Sequence, residues 1–190
     1  MADHSLHSLC ALGGTEPVSH VIGTVRITEN PAIATASLGA RHGREAALAA
    51  SAAGLIGCPL PGPGGMAGEG HWAAFWTSPG QWMLTAPFAS HEDIAAIVKA
   101  TVGADGSVTE QTDGWVRFEV EGAGAVAMLQ RLCNVDVEAM QAGQATRSQI
   151  EHLGTFVLCH RARTAFSLIT LRSGAASMLH ALETAARSVA

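Results

Sequence analysis

The alternation of apolar and polar positions divides the chain into short strands and a few amphipathic helices. The first twenty residues carry no clear period and end in the breaker-rich run G-G-T-E-P-V-S, the pattern of a loosely ordered N-terminal arm. V-I-G-T-V-R-I (21–27) is rich in β-formers, Asn30-Pro31 makes a turn, and I-A-T-A-S-L-G-A from Ile33 reads as a second strand. From Arg44 the Ala-rich run R-E-A-A-L-A-A-S-A-A-G-L-I-G predicts a helix that stops at Gly57, ahead of Pro59. The stretch 59–70 holds too much Pro and Gly for a regular element and predicts a surface loop. H-W-A-A-F-W-T and Q-W-M-L-T-A-P then flank Ser78-Pro79-Gly80 as a hairpin. Ser90 with an acid three residues on predicts a cap for a helix striped by Ile94, Ile97, Val98, Thr101 and Val102.

The same order recurs in the second half. V-T-E-Q-T and W-V-R-F-E-V are separated by Asp113-Gly114, a favoured type I′ hairpin pair, and G-A-G-A-V-A-M-L-Q-R-L-C predicts a helix. After a loop over 134–145, R-S-Q-I-E-H, G-T-F-V-L-C-H-R and A-F-S-L-I-T-L are β-like, the last two joined by Ala162-Arg163-Thr164. Ser173 can cap a final helix striped by Ala175, Met178, Leu179, Leu182, Ala186 and Val189. The expectation is an α+β fold of two pseudo-repeated β-β-α-β-β-α units, with mainly antiparallel sheets and helices on one face. Residues 1–20 form the arm, and 21–190 a single domain with halves of about 21–103 and 107–189.

Composition narrows the partners. Lys99 is the single lysine beside ten arginines, against 16 acidic residues, so no basic stripe exists to neutralise a phosphate backbone and nucleic acid is excluded as a partner. Apolar runs are interrupted well before the ~20 residues that a bilayer span needs, and M-A-D-H-S-L-H-S-L-C carries no Lys or Arg before its short apolar piece. A soluble cytoplasmic protein, without membrane partners, is the expectation. Cys10, Cys58, Cys133 and Cys159 are dispersed, with no zinc spacing, and read as buried thiols.

Candidate chemistry is sparse. Gly122 to Ala127, G-A-G-A-V-A, satisfies a dinucleotide fingerprint in letters but follows a hairpin strand and not a parallel βαβ unit, so a plain strand-to-helix turn is the better reading. His4 and His7 sit in the arm, and His71, His91 and His180 lack ligand-spaced partners. In R-S-Q-I-E-H, Arg147, Gln149 and Glu151 share one strand face, with Ser148, Ile150 and His152 on the other; a solvated or interface face outweighs a catalytic set. Trp72, Trp76 and Trp82 fall on one hairpin, the first two on a common face. With Trp115 they are candidate interface or core anchors, and a pterin- or flavin-stacking site is the sharper reading that lacks an orienting carboxylate or amide. No catalytic, cofactor-binding or metal-binding residue is assigned.

Three stretches of the second half, T-D-G-W-V-R-F-E-V-E-G-A-G-A-V-A-M-L-Q-R-L-C, A-T-R-S-Q-I-E-H-L-G-T-F-V and F-S-L-I-T-L-R-S-G-A-A-S-M-L-H-A-L, resemble the gamma-subunit family of heterotetrameric sarcosine oxidases. The similarity runs from residue 21 onward, is strongest after Thr112 and includes Q-W-M-L-T at Gln81. That family is similar to the folate-binding domain of glycine-cleavage aminomethyltransferases, whose pseudo-repeated α+β architecture matches the two units above. The resemblance implies a non-catalytic subunit beside alpha, beta and delta partners, in a complex that oxidatively demethylates sarcosine to glycine, hydrogen peroxide and methylene-tetrahydrofolate. It places FAD, FMN, NAD, zinc and tetrahydrofolate on the other subunits. An equivalent subunit of an N-methylglutamate dehydrogenase complex and a stand-alone folate-binding enzyme are the alternatives. No pterin-anchoring acid is recognisable in this chain, and Cys58 stands in I-G-C-P where the related iron–sulfur maintenance proteins have K-G-C.

Overall fold

The computed structural model describes residues 8–190. His4, His7 and the start of the expected arm lie outside them.

Two antiparallel sheets, each with a helical layer on its outer face, make up the fold. In chain order the elements are β1 (Ser19–Ile22), β2 (Val25–Glu29), β3 (Ile33–Ala40), α1 (Glu45–Ile56), β4 (Met66–Ala67), β5 (Ala73–Ser78), β6 (Gln81–Pro87), α2 (Ile94–Val102) and β7 (Gly106–Glu110). They continue with β8 (Trp115–Glu121), α3 (Ala125–Leu129), β9 (Gln144–Ile150), β10 (Leu153–Arg161), β11 (Ala165–Leu171) and α4 (Ala175–Arg187). The six-stranded sheet runs β1-β2-β8-β11-β10-β9, and the five-stranded sheet β4-β5-β6-β3-β7. The architecture is mixed α+β, with antiparallel sheets and four α-helices among the described residues.

Side-chain alternation decides what each layer buries. Along β3, Ala34, Ala36 and Leu38 meet Leu48, Ala52 and Ile56 of α1 and Ile94, Val98 and Val102 of α2. The opposite face of β3, with Thr35, Ser37 and Gly39, looks toward the other sheet. On the six-stranded sheet, Val116, Phe118, Val120, Val157, Cys159, Phe166 and Leu168 pack under α3 and α4, including Met128, Met178 and Leu182. Phe75, Met83, Ala145, Phe156, Leu158 and Ile169 join the inner faces of the two sheets. Strands β10 and β11 are covered on both sides, which is why T-F-V-L-C and A-F-S-L-I-T are buried without interruption while β3 alternates.

The units differ from the sequence expectation in how their strands are shared. V-I-G-T-V-R-I is not one strand: Gly23, at φ +55°, turns the chain between β1 and β2. That hairpin leaves the expected first half and pairs with β8, from Arg26↔Glu121 to Glu29↔Phe118. Strand β7, placed after the first half, pairs instead with β3 in the first sheet. Consequently Asp113-Gly114 is no hairpin turn. Gly114 does not take the positive φ that a type I′ turn requires, and 112–114 is a 3₁₀ turn carrying the chain from one sheet to the other. The Thr35 N–H donates to Thr112 Oγ1 at 3.0 Å, fixing this crossing to β3.

Local capping also differs from the sequence expectation. Helix α2 begins after Asp93 without a side-chain cap, and the Ser90 hydroxyl bonds Pro87 O and His91 Nδ1. Helix α4 begins after Gly174, also without a side-chain cap, because Ser173 is taken up in a 3₁₀ turn. The loop over 59–70 includes the two-residue strand β4, and α3 is shorter than its apolar run.

Candidate functional site

The chemistry-bearing side chains that converge do so on the inner face of the six-stranded sheet, where it extends past the five-stranded one. Alternation along β8 puts Arg117 and Glu119 on this face, opposite to Val116, Phe118 and Val120. Antiparallel register then sets Ser167 of β11 directly across from Glu119, and His160 stands at the end of β10 next to it. Asn30 reaches in from the connection between β2 and β3.

The hydrogen bonds determine where the protons sit. Glu119 accepts from Arg117 Nε at 2.6 Å, from Asn30 Nδ2 at 2.9 Å and from the Ser167 hydroxyl. Ser167 has one proton, and the carboxylate takes it. Its oxygen therefore accepts from Arg117 Nη2 at 2.8 Å and from His160 Nε2 at 2.6 Å. The imidazole is the Nε2–H tautomer, acting as a donor, and the 3.2 Å between Arg117 Nη2 and His160 Nε2 reflects two donors sharing one acceptor. A serine nucleophile needs the reverse polarity, with the histidine taking the hydroxyl proton. Ser167, His160 and Glu119 thus form a neutralised brace and not an acyl-transfer set.

Titration agrees with this assignment. Burial opposes the Glu119 charge, yet the Arg117 guanidinium and the hydrogen bonds from Ser167, Asn30 and Arg117 outweigh it and hold the carboxyl below its ordinary value. Burial, and then Arg117, push the His160 imidazole below its ordinary value, against a weaker pull from Glu119 and Glu121.

A cavity of about 280 Å³ adjoins the brace, sharing Asn30 and Arg117 with it. It lies where the two inter-sheet crossings meet, beneath residues 8–17. Glu29, 2% exposed, accepts the Leu12 and Val18 N–H groups at 3.2 and 3.4 Å, and Arg172 donates to Leu9 O at 2.6 Å. The described part of the expected arm is therefore strapped across the cavity, with its own Cys10 buried against it. Burial, with Glu29 and Glu16 nearby, raises the Cys10 thiol against the pull of Arg172.

The residues singled out from sequence are dispersed around this core. Trp72 lies just before β5, edge-on to His91 with ring centroids 4.8 Å apart, while Trp76 and Trp82 face each other across β5 and β6. Trp82 Nε1 donates to Pro61 O at 2.8 Å, and Trp115 Nε1 to Gln111 Oε1 at 3.0 Å. All four tryptophans are half-buried. Arg147 and Gln149 are exposed on β9, Ile150 is buried, Glu151 and His152 turn the chain at positive φ, and Ser148 donates to Asn134. The G-A-G-A motif has a packing explanation. Gly122, at φ +125°, lies so close to the β1–β2 turn that a Cβ would come within 1.9 Å of Thr24 O, and one on Gly124 within 2.7 Å of Thr24 Oγ1. Among the described residues, no cluster of three His, Cys, Asp or Glu side chains could hold a metal ion, and no helix is long and apolar enough to cross a membrane.

Sequence reasoning missed Glu29, Asn30, Glu119, His160 and Ser167. For Glu29 a signal was available, because V-R-I-T-E puts it in phase with buried Val25 and Ile27. Glu119 with Arg117 was legible as a same-face pair; Ser167 and His160 join it only through register.

No protein-family model and no curated protein matches the chain by sequence. In structure it is similar to a chain of the heterotetrameric sarcosine oxidase from Corynebacterium sp. U-96, at a TM-score of 0.76 and 20% identity over 87% of this chain and 85% of that one. It is also similar to the glycine cleavage system aminomethyltransferase T from Bartonella henselae, at a TM-score of 0.65 and 13% identity over 88% of this chain. The chain spans half the length of that aminomethyltransferase. At these identities the likeness is one of fold: the chain has the two-sheet fold found in both proteins.

Proposed function

We propose that this chain is a non-catalytic structural subunit, of gamma type, in a heterotetrameric sarcosine oxidase complex with alpha, beta and delta partners. The observation that carries the reading is the extent of the fold match, which takes in 87% of this chain and 85% of the oxidase chain, against half of the aminomethyltransferase. The brace supports it, since Ser167, His160, Glu119 and Arg117 satisfy one another and leave no free base beside a nucleophile. On this reading FAD, FMN, NAD, zinc and tetrahydrofolate are held by the partners, and demethylation of sarcosine takes place there. At least one of Trp72, Trp76, Trp82 and Trp115 anchors a partner, with Trp72 and Trp76 preferred, because half-buried tryptophans concentrate interface energy.

Co-expression with the alpha, beta and delta chains of a sarcosine oxidase tests the reading directly. The chain joins a four-subunit assembly and, purified alone, is colourless and releases no peroxide from sarcosine. Replacing an anchoring Trp by Ala costs about 2 kcal/mol or more of assembly without unfolding the free chain. A flavin band that survives dialysis, or failure to co-purify, overturns the proposal. Preferential assembly with N-methylglutamate dehydrogenase subunits moves the chain to that complex, and saturable tetrahydrofolate binding to the chain alone revives the folate-enzyme alternative.

A further inference from the structure

Between the inner faces of the two sheets lies a groove of about 350 Å³, floored by the five-stranded sheet. Ser37, Ser107 and Thr109 present hydroxyls there, Gln81 lines the rim, and Trp115 and Phe156 stand opposite. The groove's single charged side chain is Arg147, on β9, whose guanidinium carbon lies 5.4 Å from the centre of the Phe156 ring, with Gly154 on its flank. No carboxylate lines the groove, and among the described residues none is within ion-pair distance of Arg147. The brace, on β8 of the same six-stranded sheet, has a second arginine, Arg117, but there Glu119 is supplied from within the chain.

The groove also reaches a free strand edge. Among the described residues, strand β7 ends its sheet and pairs only with β3. Arg41 N donates to Asp105 O and Gln111 N to Thr35 O, so by antiparallel alternation the peptide groups of Ser107 and Thr109 face β3 and those of Val108 and Glu110 face outward. Lys99 Nζ covers Gly106 O at 3.0 Å. The Glu110 side chain turns away, receiving the Ala95 N–H at 3.3 Å and the N–H groups of Gln111 and Thr112. An extended chain laid along β7 meets outward-facing backbone at Val108 and Glu110, with the Ser107 and Thr109 hydroxyls on the groove face and Arg147 on the groove's opposite wall.

We infer that this groove is a docking site for an extended, acidic segment of a partner protein, whose carboxylate pairs with Arg147 while its backbone adds to the β7 edge. A planar guanidinium held against an aromatic ring is preorganised for bidentate carboxylate pairing, and strand addition supplies affinity that does not depend on the segment's other side chains. The site does not depend on which complex the chain enters.

The test uses the full chain and a blocked peptide, acetyl-Glu-Glu-Glu-amide, followed by calorimetry and tryptophan fluorescence, with the Gln peptide and acetate as controls. The Glu peptide binds saturably below about 10 mM, more tightly than either control, and R147Q weakens it at least about tenfold. The melting curve of R147Q, recorded in parallel, matches that of the parent chain. Equal binding of the Glu and Gln peptides, or no saturable binding of the Glu peptide, overturns the inference. So does unchanged affinity in R147Q. Acetate binding as tightly as the peptide shows a free-carboxylate site and overturns the segment as its occupant.

Discussion

Two parts of the inner sheet faces solve the same problem differently. Each sheet leaves part of its inner face beyond the shared apolar contact of Phe75, Met83, Phe156 and Ile169. The six-stranded sheet closes its overhang with charge, as Arg117, Glu119, Ser167, His160 and Asn30 saturate one another. The groove on the five-stranded sheet has small hydroxylated residues at Ser37, Ser107 and Thr109 on its floor and, facing them from β9 of the six-stranded sheet, Arg147, which meets no carboxylate among the described residues. A half-buried ion pair whose groups hydrogen-bond one another stiffens a fold and offers little to a ligand, whereas an exposed arginine without an acid contributes little to the fold and is available for binding. The difference separates a structural surface from a recognition surface in residues of identical type.

Substituting the two arginines separates the roles most sharply. R117Q leaves Glu119 half-buried with its cation gone and should lower unfolding free energy by about 3 kcal/mol, read from urea titration. An unaltered midpoint there would remove the brace from the account. S167A deletes the donor to Glu119 and the acceptor for both Arg117 and His160, and a loss of about 1–2 kcal/mol is expected by the same measurement.

Acid titration sharpens the comparison further. His160 and Glu119 both have folded pKa values below their ordinary 6.5 and 4.5, so in those windows the unfolded chain binds more protons than the folded one. Stability therefore falls as pH is lowered, first below 6.5 through His160 and then below 4.5 through Glu119. H160Q keeps a donor for Ser167 and removes the titration; the stability it loses on acidification between neutrality and pH 5 should be smaller than the parent's, and an identical slope would contradict the assignment. The smallest effect belongs to the second face: R147Q should change stability by less than about 1 kcal/mol, since among the described residues its charge meets only the Phe156 ring. A loss comparable to that of R117Q would make the two faces alike and the groove structural.

How far each site was legible depended on whether its parts lie in one element. The half-buried tryptophans were visible as a group because Trp72, Trp76 and Trp82 belong to one hairpin segment. The brace was not, because Asn30, Glu119, His160 and Ser167 come from four separate stretches whose neighbourhood is set by the pairing of β8 with β11 and β2 and of β10 with β11. Gly122 and Gly124 carried a nucleotide-like spelling that packing explains: both lie against Thr24 of the β1–β2 turn, a contact that no local pattern encodes.

By itself the sequence determined the elements that local physics dictates: the strand over Ile33–Ala40 from period-two burial, the β5–β6 hairpin around Ser78-Pro79-Gly80, the stop of α1 at Gly57 and the apolar stripe of α4. Side-chain period and turn chemistry act over a few residues, so a single stretch contains all the information that those elements need. Only the tertiary structure decided that β1 and β2 join β8, that 112–114 crosses between sheets, that Glu29 ties down residues 8–18, and that one arginine meets a carboxylate while the other does not. Alternation assigns each residue a face but never names the strand that will lie alongside it. Partnership between distant strands is settled by the burial of both sheets at once, and the charges on their inner faces meet, or fail to meet, as a result.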